Sequence, residues 1–230
     1  MRFMIIRKAD RNTEAGVFHD AALPATRLEP SATGSRVKFT GGKATVVDGP
    51  FADGSDLIAG FTFIEAGSRQ EAIEWVKASP ELRGAGDVEI EIREGGCPGG
   101  LPGVVQAKPS GSARPKQFVI LLKSDSSAET GFIPDAKVLD AMGKWNDDAV
   151  AAGVMLAGEG LQPSARGARV KFSKGKPSVV DGPFTEAKEL VAGFWLIQVS
   201  SKDDAIEWVK NYPYPIAGEG EVEIRQVLQA

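Results

Sequence analysis

The sequence predicts an α+β protein made of two related units, and three observations lead to this prediction. Two long segments of the 230-residue chain resemble each other, each mixes strand-like and helix-like apolar spacing, and a stretch rich in glycine and proline separates them. A chain of this length has room for two domains of roughly 100 residues each. Apolar residues make up 42% of the chain, enough to build a packed core.

The repeat defines the expected domain boundaries. Residues 36–51 and 169–184 agree at 12 of 16 positions at an offset of 133. Residues 95–115 contain six glycines and four prolines and have no hydrophobic period, which is typical of a linker. We therefore predict a first repeat over 1–94, a linker over 95–115 and a second repeat over 116–230.

Each repeat shows the same order of elements. Apolar runs at 3–7 and 118–123 predict the opening strands. Two hairpins with glycine in the turn and two further strands follow. Ser68 and Ser201 begin S-x-x-E/D capping patterns that open a helix in each repeat, and an alternating strand ends each repeat. The order strand, helix, strands, helix, strand in the second repeat fits a ferredoxin-like unit with its helices on one sheet face.

One helix distinguishes the repeats. Residues 134–151 carry apolar side chains at 138, 142, 145 and 149, the spacing of a helix face. The repeat offset is 115 near the N-terminus and 133 after residue 19, so the first repeat lacks these 18 residues and with them its first helix. Each sheet would keep one apolar face without helices, so we predict that the two sheets cover each other in an intramolecular pseudo-dimer.

Composition and charge exclude several functional classes. A net charge of −4 argues against a nucleic-acid-binding protein, and no apolar run is long enough for a membrane span. One cysteine, Cys97, and one histidine, His19, cannot build a zinc site of Cys and His ligands. No nucleotide-binding or serine-hydrolase motif is present, so no cofactor is predicted. The N-terminus does not resemble a signal peptide, and we predict a cytoplasmic protein.

Candidate site residues come from the repeated motifs. Asp48 and Asp181 precede Gly-Pro and could act as bases in a desolvated cleft, or could accept backbone hydrogen bonds in a turn. Glu159 lies between two glycines and could reach a cleft as a proton donor, or could be a solvated turn residue.

Basic and aromatic side chains complete the set of candidates. Arg36 and Lys38 in the first hairpin, like Arg169 and Lys171 in the second, lie on one strand face, where they could bind an anion or pair with nearby acids. Large aromatic residues could line a pocket or pack in a core. We assign Trp145 and Trp195 to either role, and Trp75 and Trp208 to packing.

Several motifs together resemble the YCII-related superfamily in its DGPF branch. They are 158–164 (GEGLQPS), the tetrad ending in Phe184 (DGPF), 193–195 (GFW) and 205–208 (AIEW). The resemblance implies a dimeric α+β barrel of ferredoxin-like units with a cleft between paired sheets, Phe184 beside that cleft, and a bacterial protein whose relatives are often encoded beside sigma factors. Some relatives carry a proposed His-Asp pair in the cleft. Here 145–148 (WNDD) offers no histidine, and His19 lies past the deletion.

Three functional hypotheses follow. The first is a non-catalytic protein that binds a small, anionic molecule or serves as an accessory. The second is a hydrolase- or lyase-like enzyme with Asp181 as base, Glu159 as acid and Arg169 holding the anion. The third is an interaction module whose partner is a second copy of the chain or a regulatory protein such as a sigma factor.

Overall fold

The computed structural model describes residues 1–18, 25–51, 56–84, 86–96, 103–105, 115–214 and 219–228. His19 and Cys97 lie outside the described residues, so the expectations for them stay predictions.

The first half supplies six strands and three helices to the described structure. In chain order they are β1 (Arg2–Lys8), α1 (Arg11–Glu14), β2 (Thr26–Arg27), β3 (Ser35–Thr40), β4 (Lys43–Asp48), β5 (Ile58–Glu65), α2 (Arg69–Ala78), α3 (Pro80–Gly84) and β6 (Val88–Glu94).

The second half follows a similar order, with one long helix added and no described counterpart of α3. After the short β7 (Val104–Val105) come β8 (Lys116–Lys123), α4 (Ser126–Glu129), α5 (Ala136–Ala151), β9 (Met155–Gly160), β10 (Ala168–Ser173), β11 (Lys176–Asp181), β12 (Val191–Val199), α6 (Lys202–Asn211) and β13 (Glu219–Gln226).

The strands form two antiparallel sheets. The first sheet has the order β11-β10-β6-β1-β5-β2, and the second has the order β4-β3-β13-β8-β12-β9-β7. The prediction of an α+β fold with two similar halves is confirmed.

The two halves exchange their hairpins. The hairpin of β10 and β11 comes from the second half, yet β10 pairs with β6 of the first half, from Ala168 opposite Ile92 to Phe172 opposite Val88. In the same way β3 and β4 extend the other sheet, where β3 pairs with β13. The sequence predicted both hairpins but not their destination, because alternation fixes which face of a strand is buried and not which strand lies beside it.

Three apolar clusters stack through the molecule. One lies between α2 and the first sheet, and Phe172 of the exchanged hairpin contributes to it. A second lies between the second sheet and the pair α5 and α6. The third joins the two sheets face to face, with Met4 and Phe61 from the first sheet and Leu121 and Phe194 from the second. Burial of these three faces orders the layers as helix, sheet, sheet, helix.

The helix ends follow from their sequences. The side chain of Ser68 accepts a hydrogen bond from the backbone N–H of Glu71, and Ser201 does the same for Asp204. Asp135 caps α5 by accepting from Val138 N at 3.0 Å, so the helix begins at Ala136, two residues later than a start at Pro134 would place it. In residues 1–18 and 25–35 the only α-helix is the four-residue α1, which corresponds to α4, and no counterpart of α5 is described there.

The expectation that Trp75 packs in a core is wrong. Its side chain is 43% exposed, whereas its counterpart Trp208 packs against Trp195 and Tyr212 with ring centroids 6.4 and 5.0 Å away. At the positions of those two partners the first repeat has Thr62 and a serine, so Trp75 has no aromatic neighbours to pack against.

Candidate functional site

A cavity of about 420 Å³ opens at one end of the second sheet. It lies where β8, β9, β12 and β13 end, beneath α5 and beside α4, and the tip of the exchanged strand β3 closes one side. Residues of both halves therefore build its wall, in keeping with the hairpin exchange. We call it the first cavity.

Aromatic and apolar side chains form one wall of the first cavity. Trp195 and Tyr212 lie 4.7 Å apart between ring centroids, and Met142 of α5 and Phe132 complete this wall. The hydroxyl of Tyr212 donates a hydrogen bond to Asn146 Oδ1 at 2.9 Å, which fixes the ring against α5. This wall can accept a flat apolar group.

Glu159 is the most desolvated acid on the cavity wall. Only 11% of its side chain is exposed, and Arg2 Nη1 lies 3.2 Å from its Oε2. That oxygen accepts no geometrically sound hydrogen bond from any described residue. Backbone crosses it closely, because a Cβ atom at Gly95 would come within 2.6 Å of Oε1. Burial raises the pKa of Glu159, while the charge of Arg2 opposes the rise.

A charged network lies between the sheets next to the first cavity. Arg36 Nη2 donates to Glu223 Oε2 at 2.8 Å and to Asp56 Oδ2 at 2.7 Å. Lys123, which lines the cavity, lies 3.0 Å from the same Asp56 oxygen and 3.5 Å from Glu223 Oε2. Both cations held by Asp56 are thus already neutralised by protein carboxylates.

The repeated Asp-Gly-Pro-Phe tetrads fasten each hairpin to the other half. Asp181 does not lie in a desolvated cleft, as a base there would require: its side chain is 64% exposed and its Oδ1 accepts from Arg69 of α2 at 2.6 Å. Asp48 is equally open and accepts from Lys202 of α6 at 2.8 Å and from a serine of β3. These hydrogen bonds lower the pKa of Asp48.

The glycine of each tetrad lies directly against the backbone of another segment. A Cβ atom at Gly182 would lie 1.9 Å from the carbonyl oxygen of Ser164, and the same distance separates such an atom at Gly49 from Ser31 O. No side chain fits at that approach. Phe184 lies under a cation, with Arg169 Cζ 4.1 Å from its ring centroid.

The basic candidates of the second hairpin lie away from the first cavity. Arg169 and Lys171 line a second cavity, at the end of the first sheet, and pair there with Glu91 and Glu89. Trp145 does not line the first cavity but packs edge-on against Tyr212 at 6.2 Å.

The structure therefore separates the three groups of the predicted reaction. Glu159 lines the first cavity, Arg169 lines the second, and Asp181 lines neither. Trp195 and Glu159 both belong to the lining of the first cavity. They lie on opposite faces of the second sheet, because Trp195 pairs with Gly158 and Glu159 pairs with Phe194.

Sequence reasoning missed the residues that tie the sheets together at the cavities. Lys123 ends β8 as Lys8 ends β1, and Asp56 stands where the second repeat has Glu189. Both repeats have a lysine and an acid at these equivalent positions, and this repetition could have identified them. A lysine at the end of a strand is usually solvated, so the pattern alone did not indicate a buried ion pair.

The described residues show neither a cluster of metal ligands nor a helix suited to crossing a membrane. Among the described residues no group of three or more His, Cys, Asp or Glu side chains is arranged to hold a metal ion. None of the described helices combines the length and apolar character that a membrane crossing needs.

Comparison with known proteins bears on both halves. The family model of the YCII-related domain matches the chain twice, over residues 1–94 and 117–230. An uncharacterized protein of Rhizobium meliloti (strain 1021) is 28% identical over 110 residues, which are 47% of this chain and 89% of that protein. The aligned length is about that of one repeat.

Proposed function

The chain belongs to the YCII-related domain family, and on that premise we propose that it is a small-molecule-binding protein whose ligand occupies the first cavity. The observation that carries the proposal is the aromatic wall of the first cavity, where Trp195, Tyr212 and Met142 border a volume of about 420 Å³. Pockets for small molecules combine apolar walls of this kind with a few polar groups, and Asn146 and Ser127 are polar residues of this lining.

The lining of the first cavity defines the class of ligand. A planar apolar group would pack against Trp195, Tyr212 and Met142. A hydrogen-bonding group on the same molecule would pair with a polar side chain of the lining such as Asn146. The proposed ligand is a small aromatic or heteroaromatic compound that carries an N–H or O–H group.

The proposal includes the architecture of an intrachain pseudo-dimer of ferredoxin-like units. It is supported by the matching element order of the halves, by the reciprocal exchange of hairpins and by the apolar cluster between the sheets. On this view one chain holds permanently the interface that two separate subunits would otherwise form, at an effective concentration in the millimolar range.

The other hypotheses receive less support. The enzyme that uses Asp181, Glu159 and Arg169 requires the three groups to converge, and they lie in three separate places. A second copy of the chain or a sigma factor as partner stays a prediction, since no contact among the described residues bears on it.

Ligand screening with a blocked cavity tests the proposal. Ser127, exposed on α4, lines the mouth of the first cavity, and Ser127→Trp would fill the mouth without removing a core contact. Its repeat counterpart Asn12, also exposed and outside both cavities, gives the control Asn12→Trp. A library of small heteroaromatic compounds is screened by thermal shift and by tryptophan fluorescence.

We expect compounds that raise the Tm of the native chain and of Asn12→Trp. They should bind at least tenfold more weakly to Ser127→Trp, because the aromatic wall is no longer accessible. Equal binding to both variants, or a library without a binder at millimolar concentration, would refute the proposal.

A further inference from the structure

Asn146 is a polar residue on the buried face of helix α5. It lies four residues after Met142 and three before Ala149, and both of these belong to the apolar cluster beneath the helix. A polar side chain at such a position costs free energy unless its hydrogen-bonding groups are used. Asn146 also lines the first cavity, beside the aromatic wall. Its amide is therefore placed where a ligand can use it.

Tyr212 determines which end of this amide is available. The hydroxyl of Tyr212 donates to Asn146 Oδ1 at 2.9 Å, so the amide oxygen is engaged within the protein. The Nδ2 group carries two N–H donors and has no acceptor among the residues that the structure describes. Nδ2 is not one of their buried unpartnered atoms either, so it keeps contact with the open volume of the first cavity.

Trp195 presents a second donor on the same wall. Its indole Nε1–H has no acceptor in the described parts of the chain and, like Asn146 Nδ2, is not one of the buried unpartnered atoms there. The rings of Trp195 and Tyr212 lie 4.7 Å apart between centroids, so Tyr212 contacts both donor-bearing side chains. Water can accept from both N–H groups when no ligand is bound.

An aromatic ligand has to replace this water. Its ring would pack on Trp195 and Met142 and would displace water from the two donors. A ligand without an acceptor would leave a buried N–H group unpaired, which costs more free energy than a hydrogen bond contributes. An oxygen on the ligand avoids this cost. The nitrogen of an aromatic N–H group does not, because its lone pair is delocalised into the ring and the group acts as a donor.

We propose that the ligand of the first cavity is a hydroxyaromatic compound whose oxygen accepts a hydrogen bond from Asn146 Nδ2. The inference rests on the binding function proposed above and narrows its ligand class from N–H or O–H compounds to O–H compounds. Asn146 is then a specificity-determining residue, and Tyr212 is a positioning residue that holds the amide with its donor toward the cavity. Among the described residues the first repeat has no counterpart of α5, so the proposed site occurs once in the described structure.

Two probes of equal size distinguish the two ligand classes. 4-Methylphenol and 4-methylaniline are both uncharged near neutral pH and differ only in a hydroxyl or an amino group. Isothermal titration calorimetry of the native chain should give a dissociation constant on the order of 1 mM for 4-methylphenol. 4-Methylaniline should bind about tenfold more weakly, because it leaves the Asn146 donor unpaired. Equal affinities would overturn the inference and leave the proposed function intact, whereas binding of neither probe would refute both.

Asn146→Asp removes the donor and keeps an oxygen for the hydroxyl of Tyr212. A carboxylate accepts from a hydroxyl and from an amino group alike, so the preference for 4-methylphenol should fall from about tenfold to less than about twofold. The matched control is Asn12→Asp, the same charge change at an exposed position outside both cavities, which should keep the native preference. A preference that persists unchanged in Asn146→Asp would overturn the proposal. The comparison of the two probes on the native chain decides the matter even where this variant does not fold.

Discussion

Two buried arginines form ion pairs that fix the position of one half relative to the other. Arg225 and Arg93 are the largest fully buried side chains described. Arg225 lies 3.2 Å from Glu14 of the other half, and Arg93 lies 3.6 Å from Glu129, the counterpart of Glu14. A displaced half would leave a buried charge without its partner, which is costly. These pairs therefore specify the relative position of the two halves.

Two neighbouring residues of the second Asp-Gly-Pro-Phe tetrad should differ in their contribution to stability. Gly182→Ala should lower the free energy of unfolding by about 3 kcal/mol, because its Cβ would collide with the backbone of Ser164. Asp181→Ala, one residue away, should cost less than about 1 kcal/mol, since it removes an exposed ion pair with Arg69. Urea unfolding of both variants measures the difference. Similar losses in the two variants would contradict a packing role for the glycine.

At the scale of elements, the exchanged hairpin is the feature that makes the halves interdependent. Strand β10 provides Ala168, Val170 and Phe172 to the core beneath α2, although about 100 residues of chain separate the strand from that helix. The first sheet is thus incomplete until the second half has folded onto it. Pairing over such separations slows folding because the loop must close before the contacts form.

Phe172→Ala tests this dependence. We expect a loss of about 3–5 kcal/mol in the free energy of unfolding, because the ring is fully buried. Hydrogen exchange followed by mass spectrometry should show the largest increase in α2, in the other half of the chain. The control Val180→Ala on β11, whose side chain is 47% exposed, should change stability by less than about 0.5 kcal/mol. If hydrogen exchange became faster in the second half alone, the result would contradict the dependence of α2 on the hairpin of β10 and β11.

The whole molecule has two similar halves and one helix layer that differs between them among the described residues. Helix α5 covers the second sheet and encloses the first cavity, whereas no counterpart is described over the first sheet. The related cavities differ in chemistry, since one has an aromatic wall and the other is lined mainly by charged side chains.

Dividing the chain between the two repeats tests whether either half can fold without the other. Fragments 1–105 and 106–230, each expressed alone, should show no cooperative thermal transition, because each would expose the apolar face that the other sheet covers. Fragment 1–105 would also lack two strands of the first sheet, and fragment 106–230 would lack three strands of the second. Mixing the fragments should restore a single transition near that of the intact chain. Circular dichroism and sedimentation measure both. A fragment that melts cooperatively as a monomer would contradict the shared core.

Local patterns in the sequence were sufficient for the repeat, the α+β class, the capped helices and helix α5 of the second repeat. Caps such as Ser68 and the apolar spacing of α5 act over a few residues, so they can be read in one segment at a time. The aromatic candidate Trp195 and the acid Glu159 were identified for the same reason, by type and local spacing.

The tertiary structure alone decided which sheet each hairpin joins, which cations acquire a carboxylate and which candidates face a cavity. Arg36 meets Glu223 across 187 residues of chain, and Lys123 meets Asp56 across 67. Such pairings are selected by burial and charge balance in the assembled molecule, and these are properties of two surfaces in contact and of no single segment.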